Sequence, residues 1–459
     1  MRRTLVINVA GLSLDLVGEI PALAAMAKRG LCLPLEPVLP ATTCPMQATF
    51  LTGEPPARHG IIANGLYFPD TAEVRFWEQS AHLVGAPRIW DLPLSENPKS
   101  EIRNPKSKVA LLFWQHSLYG TADIILTPKP IHAPGGGLIQ DCWSRPGDLY
   151  ERLAAGESAL DPGRPRGPFN LMDYWGPMAN LKSSRWIADA SLEVWRTERP
   201  DLLLTYLPHL DYSGHRAGPE PDCRLSGRSE AHRAAARELE PLLGALVGAA
   251  EADGARVIVL SEYSFVPVRR AAAINRALRE AGYLAIREVA GGEYLDAGDS
   301  RAFAMVDNQV AHIYFPKTED PAGDSKKVRR LLEGLDGVAE VLDRDALAAR
   351  GLDHVRSGDL VALAEPDAHF TYYWWLDDAK APPMARTVDI HAKPGFDAAE
   401  LLIDPARKCI PVSAEGIRGS HGLAPDDGRG WGVFLASEPP KDLAGRRSVR
   451  ATEVAHEFL

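Results

Sequence analysis

"RVIVLSEYSFVP", residues 256–267, is the stretch that decides the fold. Residues 256–260 are a short, almost wholly apolar run in which β-branched residues and leucine follow Arg256, typical of a strand buried on both faces. The run then ends on a carboxylate and a phenol, Glu262 and Tyr263. In parallel sheets covered by helices, ligands bind outside the carboxyl ends of the strands. Glu262 and Tyr263 therefore stand where residues of a functional site are expected.

Similar apolar runs alternate with helical patterns along the chain. The predicted buried strands are Thr4–Val9, 109–114, 201–207 and Arg256–Leu260, and the helical stretches are 19–30, 183–198 and 229–254. Gly254 follows the last helical stretch as a stop signal. This alternation predicts an α/β fold, a three-layer α/β/α sandwich with a mainly parallel central sheet.

Two segments interrupt this pattern. "NPKSEIRNPKSK" (97–108) repeats NPKS and is rich in proline and charge, which predicts an inserted surface loop. Within 292–400 an apolar stretch, a helical stretch and "VAEVLD" predict a strand, helix, strand unit. We therefore expect a core formed by 1–291 and closed by 401–459, with 292–400 as a small inserted α/β subdomain.

Composition narrows the classes of function. The 459 residues are 45% hydrophobic and 24% charged, as in ordinary folded globular proteins. The net charge of -10 argues against binding of nucleic acid polymers or anionic membranes, since both require a basic face. No apolar run approaches the length of a membrane span. An anionic substrate would have to be held by local groups.

The N-terminus and the cysteines indicate a cellular location. "MRRTLVINVAGLSLDLVG" has the arginines and apolar run of a signal peptide, but Asp15 interrupts the run and Thr4–Val9 fits a core strand better. The five cysteines are odd in number, scattered and without CxxC spacing. They indicate neither a disulfide framework nor a zinc-thiolate site. We expect a cytoplasmic protein.

Three residues are candidate metal ligands. Asp211 and His215 follow a predicted buried strand and are four apart, so on a helical turn they share a face. His421 lies between small residues in "RGSHGLAP". Each pattern alone is also typical of surface or loop residues. Together they predict a three-ligand zinc site with an open position for substrate.

Thr43 is a candidate nucleophile. "PMQATFLTG" (45–53) predicts a short helix with proline in its first turn and Gly53 at its end, so Thr43 lies at or next to the N-cap. The helix N-terminus favours an anionic group there. Thr43 is either a capping residue or a metal-activated nucleophile for phosphoryl transfer.

Three other features have a structural and a functional interpretation. The aromatic run 368–378 is either a strand packed on the core or an aromatic wall for a substrate. Asp389 and His391 are expected to make a structural hydrogen bond rather than a further metal site. Cys44, beside Thr43, is either a buried filler or an oxidation sensor.

Taken in order, these motifs resemble those of the type I phosphodiesterase/nucleotide pyrophosphatase family of the alkaline phosphatase superfamily. The matching segments are "PATTCPMQATFLTG" (40–53), "HGIIAN" (59–64), "DYSGHRAGP" (211–219) and "GSHG" (419–422). The resemblance covers residues 4–290 and 401–430 and implies an alkaline phosphatase-like fold. It implies Thr43 as the nucleophile and Asn64 as a hydrogen-bond partner of a phosphate oxygen. It also implies a first metal, usually zinc, on Asp211, His215 and His421.

The chain departs from the family pattern at the second metal. The resemblance implies ligands from an early Asp, the nucleophile and an Asp-His pair, but here Ala10 replaces the early Asp and Glu262 and Tyr263 replace the pair. Alanine cannot bind a metal, and neutral tyrosine is a poor ligand. We expect a weak second site for Zn, Mg or Mn on Thr43 and Glu262, with Asn8 as a further oxygen donor. Alternatively, Glu262 acts as a general base.

These features predict a metal-dependent phosphoric ester hydrolase or phosphotransferase. Its substrate is expected to be a small molecule with a phosphodiester or pyrophosphate bond, cleaved through a phosphothreonine intermediate. The alternative is a catalytically silent protein that binds one metal and a phosphate ligand. If the protein is an enzyme, we expect Glu262→Gln to impair activity more than Tyr263→Phe.

Overall fold

The computed structural model describes residues 2–92, 107–135, 137–219 and 229–458. The predicted inserted loop 97–108 lies outside the described residues except for its last two positions. A nine-stranded sheet forms the centre of the described chain. Its strands, in spatial order, are Val449–Arg450, Leu31–Glu36, Gly432–Ala436, Arg256–Leu260, Thr4–Val9, Leu202–Leu207, Val109–Leu112, Ile124–Pro128 and Cys142–Arg145.

The sheet is mainly parallel, as the sequence predicts. Thr4–Val9 lies at its middle and pairs in parallel with Leu202–Leu207 on one side and Arg256–Leu260 on the other. Gly432–Ala436 and Cys142–Arg145 run antiparallel to their neighbours. Two of the four predicted strands have the predicted bounds. The other two are shorter, and the one from Val109 ends before Phe113, whose φ of 59° departs from strand geometry.

Helices cover both faces of this sheet and produce three layers. Leu5, Ile7 and Val9 face one apolar layer, whereas Val6 faces the other, as the two-residue period of a strand requires. Helices Pro21–Arg29, Leu149–Ala155, Leu181–Thr197, Glu230–Glu238 and Glu240–Ala252 contribute buried residues to the first layer. Helices Thr43–Thr52 and Ala451–Glu457 contribute to the second.

The helical stretch predicted over 229–254 forms two helices rather than one. They are separated at Leu239, directly before Glu240 and Pro241. Proline has no backbone N–H and fits only the first turn of a helix, so the second helix begins there. Gly254 follows the second helix with a φ of 67°, which agrees with its predicted role as a stop.

A second, four-stranded antiparallel sheet lies later in the chain. Its strands, in spatial order, are Phe303–Asp307, Val310–Tyr314, Leu360–Ala364 and Val338–Leu342. Helices Pro321–Glu333 and Arg344–Ala349 accompany it, and helix Ile274–Glu280 contacts its first strand. Helix Pro321–Glu333 and strand Val338–Leu342 agree with the helix and second strand predicted inside 292–400, whereas the predicted first strand forms two strands, Phe303–Asp307 and Val310–Tyr314. The division of the chain into domains at 292 and 400 stays a prediction.

The aromatic run after Ala368 belongs to the core beneath this second sheet. Strand Ala368–Phe370 pairs with Arg270–Ala272, and Tyr372, Tyr373, Trp374 and Trp375 are buried in the same apolar cluster as the four strands. Their burial favours the packing interpretation of the run over the substrate-wall interpretation.

Candidate active site

The candidate residues meet at the carboxyl ends of the central strands. After Leu207, helix His209–Ala217 places Asp211 and His215 on one face, and after Leu260 the chain continues into Glu262 and Tyr263. These two strands flank Thr4–Val9 on opposite sides. Parallel strands bring their carboxyl ends to one edge of the sheet. Segments far apart in sequence therefore converge there.

Thr43 begins the helix that the sequence predicts. The helix spans Thr43–Thr52, Thr42 is its N-cap residue, and Gly53 ends it with a φ of 73°. The side chain of Thr42 makes no capping hydrogen bond, and Thr43 is the first helical residue rather than the cap. The Thr43 hydroxyl is therefore not used in capping and contacts Tyr263 instead.

Asp211, His215 and His421 form a compact ligand set. One potential ligand atom from each lies within 4.8 Å of the others, and all three residues are buried. Asp211 Oδ1 is 3.7 Å from His215 Nε2 and 3.9 Å from His421 Nε2. The sequence predicts these three residues as ligands, and the structure brings them together. Zinc accepts this combination of imidazole nitrogens and a carboxylate oxygen.

Backbone carbonyls orient both imidazoles toward Asp211. His215 Nδ1 lies 3.0 Å from the carbonyl oxygen of Gly419, and His421 Nδ1 lies 2.8 Å from that of Ala41. Each carbonyl can only accept, so each Nδ1 donates and each Nε2 keeps its lone pair. His215 Nε2 is buried and has no hydrogen-bond partner within the described chain. Anchoring of the distal nitrogen is typical of metal-ligating histidines.

Burial controls the protonation of the ligand set. It lowers the pKa of His215 to about 4 and the pKa of His421 well below its ordinary value. Both imidazoles are therefore neutral at pH 7, the form that binds a metal. Burial raises the pKa of Asp211 to about 7, and the hydrogen bond from Tyr263 opposes this shift. A cation beside Asp211 would favour its ionised form.

Tyr263 lies between Thr43 and Asp211. Its hydroxyl oxygen is 3.1 Å from Thr43 Oγ1, and it donates to Asp211 Oδ1 over 3.0 Å. The phenol ring stacks on the imidazole of His421 with centroids 3.6 Å apart and planes within 3°. Burial raises the pKa of Tyr263 well above its ordinary value, so the phenol stays protonated. The sequence did not predict that Tyr263 contacts both Thr43 and Asp211.

Glu262 is held by side-chain amides rather than by the ligand set. Gln47 Nε2 donates to Glu262 Oε1 over 2.6 Å, and Asn8 Nδ2 donates to the same oxygen over 2.9 Å. Glu262 Oε2 and Asn8 Oδ1 are buried without a partner within the described chain. Burial raises the pKa of Glu262 to about 8, which favours the neutral acid at pH 7. Its predicted role as ligand or base stays a prediction.

Asn64 is fixed beside the start of the Thr43 helix. Its Oδ1 accepts from the backbone N–H of Cys44 over 2.9 Å. Its side-chain amide and backbone N–H donate to the two carboxylate oxygens of Asp307, over 3.1 and 2.7 Å. Burial raises the pKa of Asp307 to about 6, and the bonds from Asn64 oppose this shift. Sequence reasoning missed Asp307, whose only signal is a carboxylate at the end of a buried strand.

A cavity of about 780 Å³ opens over these residues. Its base contains Thr43, Asn64, Asp211, Tyr263 and His421. Segments 73–79, 128–132, 137–138, 171–175 and 388–392 contribute its walls, which include aromatic and charged side chains. The base is therefore open to a small molecule, and loop segments surround that molecule.

The remaining candidates have structural contacts. His391 Nδ1 lies 3.2 Å from the carbonyl oxygen of Phe76, and the Asp389 carboxylate accepts from the backbone N–H of Ala392 over 3.0 Å. Both residues line the cavity wall. Cys44 is fully buried, and burial raises the pKa of its thiol well above its ordinary value. This favours its interpretation as a filler, because a protonated thiol reacts slowly.

Comparison with known families identifies the class of protein that this fold and site define. The model of the type I phosphodiesterase/nucleotide pyrophosphatase family matches residues 4–397. The chain belongs to this family, within the alkaline phosphatase superfamily, and the resemblance of the motifs is confirmed. An uncharacterized pyrophosphatase/phosphodiesterase of Schizosaccharomyces pombe is 25% identical over 219 residues, 47% of this chain. The alignment covers 36% of that longer relative.

Solved structures share the fold over the whole chain. Phosphonoacetate hydrolase from Sinorhizobium meliloti 1021, in complex with phosphonoformate, matches with a TM-score of 0.60 and 18% identity, covering 100% of this chain and 95% of that one. Murine ectonucleotide pyrophosphatase/phosphodiesterase 5 matches with a TM-score of 0.58 and 14% identity, covering 100% and 94%. The predicted alkaline phosphatase-like fold is confirmed.

Membrane insertion through a helix finds no support in the described part of the chain. None of the helices there combines the length and the apolar character that crossing a bilayer requires.

Proposed function

We propose that the protein is a metal-dependent phosphoric ester hydrolase or phosphotransferase that forms a phosphothreonine intermediate on Thr43. The observation that carries this proposal is the position of Thr43. Its hydroxyl lies at the base of the cavity, at the first residue of a helix, and Tyr263 links it to Asp211 of the ligand set. The N-terminus of a helix favours the negative charge of a phosphoryl group.

Asp211, His215 and His421 fit a zinc ion. The unpartnered, buried Nε2 of His215 supports this assignment, because a buried nitrogen without a partner is costly unless a ligand binds it. A zinc ion there would supply Lewis-acid chemistry, polarising a phosphoryl oxygen and stabilising the charge that develops on it. The two carbonyl-anchored imidazoles and the carboxylate leave a fourth position for substrate.

The proposed reaction takes place in two steps at phosphorus. The bond from Thr43 Oγ1 to phosphorus forms as the bond to the leaving oxygen breaks, and the threonine proton ends on the leaving group. A water molecule or an acceptor alcohol then replaces Thr43 at phosphorus, and its proton returns to Oγ1. Asn64, held by Asp307 and Cys44 N–H, is the proposed partner of a phosphate oxygen.

A phosphodiester or pyrophosphate bond in a small molecule is the proposed target. The family acts on phosphate esters of small molecules, and the cavity of about 780 Å³ has room for a ligand of that size. Trp77, Tyr174 and Trp175 contribute aromatic surface to its wall, and Lys129 contributes a positive charge. These side chains could bind the two groups that flank the phosphorus.

A catalytically silent binding protein is the second candidate, and the altered strand end after Leu260 favours it. Ala10 has no ligand atom, and Glu262 Oε1 is already bonded by two amides. Such a protein would keep one metal and a phosphate ligand but would show no turnover.

Turnover of an aryl phosphodiester by the zinc-loaded protein tests the proposal. Thr43→Ala should lower kcat on the order of 1,000-fold or more, because it removes the attacking oxygen. Thr43→Ser keeps a hydroxyl and serves as the matched control, with partial activity. Acid quenching followed by mass spectrometry should find a phosphoryl group on Thr43 in the wild type.

Two results would contradict the proposal. Wild-type turnover by Thr43→Ala would exclude Thr43 as nucleophile. An absence of turnover across phosphomonoesters, phosphodiesters and phosphonates with zinc, manganese and magnesium would favour the silent binding protein.

A further inference from the structure

The second metal site expected from the family does not fit the residues of this chain. Of the positions that would hold it, Ala10 contributes only a buried methyl group, and Glu262 is left with the single oxygen Oε2, because Gln47 and Asn8 both donate to its Oε1. Among the described residues, Asp211, His215 and His421 form the one cluster of three or more histidine, cysteine or acidic side chains that could share an ion. The remaining position is Tyr263, whose phenol occupies the space beside Thr43.

We propose that Tyr263 takes the place of the second metal ion by holding the Thr43 hydroxyl in its attacking orientation, so that the centre works with one metal ion. This inference rests on the proposed function, in which Thr43 is the nucleophile. Tyr263 is thus a positioning residue, and it belongs to this chain rather than to the two-metal pattern of the family.

The distances define the space that the phenol fills. An ion shared by oxygen ligands would lie about 2.0–2.2 Å from each of them. The Tyr263 oxygen lies 3.1 Å from Thr43 Oγ1 and 3.0 Å from Asp211 Oδ1, which are hydrogen-bond distances. The phenol oxygen therefore stands beside the Thr43 hydroxyl, which a second ion would contact, and links it to Asp211 of the first ligand set. A neutral phenol is also a poor ligand, with a reference pKa near 10.

The proton arrangement determines the direction of the Thr43 hydroxyl. A phenol has one proton, and Tyr263 donates it to Asp211 Oδ1. The contact with Thr43 must then be made by the threonine proton, donated to the Tyr263 oxygen. The lone pairs of Thr43 Oγ1 are thereby left for phosphorus in the cavity. Fixing a nucleophile in its reactive orientation lowers the barrier by reducing the entropy lost on reaction.

Neighbouring rings hold Tyr263 in this position. Its ring stacks on His421 with centroids 3.6 Å apart, and Phe265 packs edge-on at 5.9 Å. Because His421 is fixed by its bond to the Ala41 carbonyl, the stacked phenol is fixed with it. Tyr263→Phe would keep these ring contacts and remove only the oxygen, so the folded structure should persist.

Glu262 has a supporting role in this arrangement. Gln47, which donates to Glu262, lies on the Thr43 helix, and its side-chain oxygen Oε1 accepts from the backbone N–H of Gln115 over 2.7 Å. Glu262 therefore anchors the helix that carries Thr43. This assignment reverses the expectation that Glu262→Gln is the more damaging substitution.

Metal stoichiometry is the first test, and it does not depend on turnover. Wild-type protein, stripped of metal and titrated with zinc, should bind one equivalent. Glu262→Gln and Tyr263→Phe should each keep that equivalent, and Asp211→Ala should lose it. Two equivalents in the wild type, with one lost in Glu262→Gln, would overturn the inference.

Kinetics provide the second test. Tyr263→Phe should lower kcat about 10- to 100-fold with KM nearly unchanged. The reason is that Tyr263 orients the Thr43 hydroxyl and does not bind the substrate. Tyr372→Phe is the matched control, since it removes another buried phenol oxygen that has no partner within the described chain. Wild-type kcat in Tyr263→Phe, or an equal loss in Tyr372→Phe, would overturn the inference.

The two tests separate this inference from the proposed function. If no substrate is turned over, the proposed function fails and the zinc count alone decides whether Tyr263 replaces the second ion. If turnover depends on Thr43 but two zinc ions bind, the proposed function stands and the inference fails.

Discussion

The carboxyl ends of two central strands, one on each side of Thr4–Val9, hold different chemistry. After Leu202–Leu207 come Asp211 and His215, which with His421 leave unprotonated nitrogens facing a carboxylate. After Arg256–Leu260 come Glu262, whose Oε1 accepts from two amides, and Tyr263, whose hydroxyl contacts a threonine and an aspartate. The same sheet edge thus provides a candidate cation site at one strand end and a hydrogen-bond network at the other.

The difference shows that fold position alone does not decide what a residue binds. Imidazoles with carbonyl-anchored Nδ1 atoms have a lone pair available for a metal. A protonated phenol that contacts Thr43 and Asp211, and a carboxyl oxygen that accepts from two amides, are instead engaged by hydrogen bonds within the protein. The two strand ends therefore differ in which lone pairs and protons are already used in hydrogen bonds. Two substitutions test this difference, and a third tests how the second sheet supports the site.

The largest effect is expected at the cation site. His215→Gln should weaken zinc binding on the order of 100-fold or more, because it removes a ligand from a three-ligand set. His312→Gln is the matched control: His312 is equally buried, but both its nitrogens bond to backbone groups of Ile62 and Gly358. Zinc titration by calorimetry measures both variants. Equal affinities would show that His215 is not a ligand.

At the strand end after Leu260, replacing the carboxyl group of Glu262 should stabilise the metal-free protein at alkaline pH. Burial raises the pKa of Glu262 from 4.5 to about 8, so the folded state keeps the proton that the unfolded state has lost. The wild-type free energy of unfolding therefore falls as the pH rises from 4.5 to 8. Glu262→Gln should raise that free energy by about 1–3 kcal/mol at pH 9 and have little effect at pH 5.

Denaturant unfolding of metal-free protein at both pH values measures this effect. Glu293→Gln is the comparison variant, because Glu293 is also buried but pairs with Arg279, and its loss should lower stability. Destabilisation by Glu262→Gln at pH 9 would indicate that a charge is needed at this strand end, as in a metal site.

The smallest effect is expected at Asp307, which connects the second sheet to the site. Asp307→Asn replaces one acceptor oxygen by an amide that faces a donor of Asn64, so Asn64 should turn away. We expect kcat/KM to fall about 10-fold, which corresponds to the loss of one hydrogen bond from Asn64 to the substrate phosphate. The zinc stoichiometry should stay unchanged. Asp324→Asn, a buried carboxyl paired with Arg301, should lower stability without this kinetic effect. Identical kinetics of the two variants would exclude a link between Asp307 and the site.

The fold was predictable where local pattern and burial agree. The strands Thr4–Val9 and Arg256–Leu260 are buried on both faces, and their apolar runs mark both ends. The helix ends at Gly53 and Gly254 were predictable because glycine readily adopts the positive φ that often follows a helix, and both residues have it. The helix broken at Leu239 was less clear, since the periodicity continues through Pro241 and only the proline marks the break.

The site was predictable only where its residues follow a strand or a motif. Asp211 and His215 lie on one helical turn, but their distance to His421 depends on contacts across the fold. The bond from Asn64 to Asp307 joins residues 243 positions apart, and no local pattern contains it. The bridging position of Tyr263 depends on the direction of one side chain, which is set by its stacking on His421.

The bond between Asp307 and Asn64 also limits how the chain can be shortened. Asp307 ends the first strand of the second sheet, and Asn64 in turn holds the N–H of Cys44 beside the proposed nucleophile. A truncated protein lacking 292–400 would leave two donors of Asn64 without their acceptor. The second sheet is thus a required part of any minimal version of this protein, and an engineered graft of the site onto another scaffold must include a carboxylate at that point.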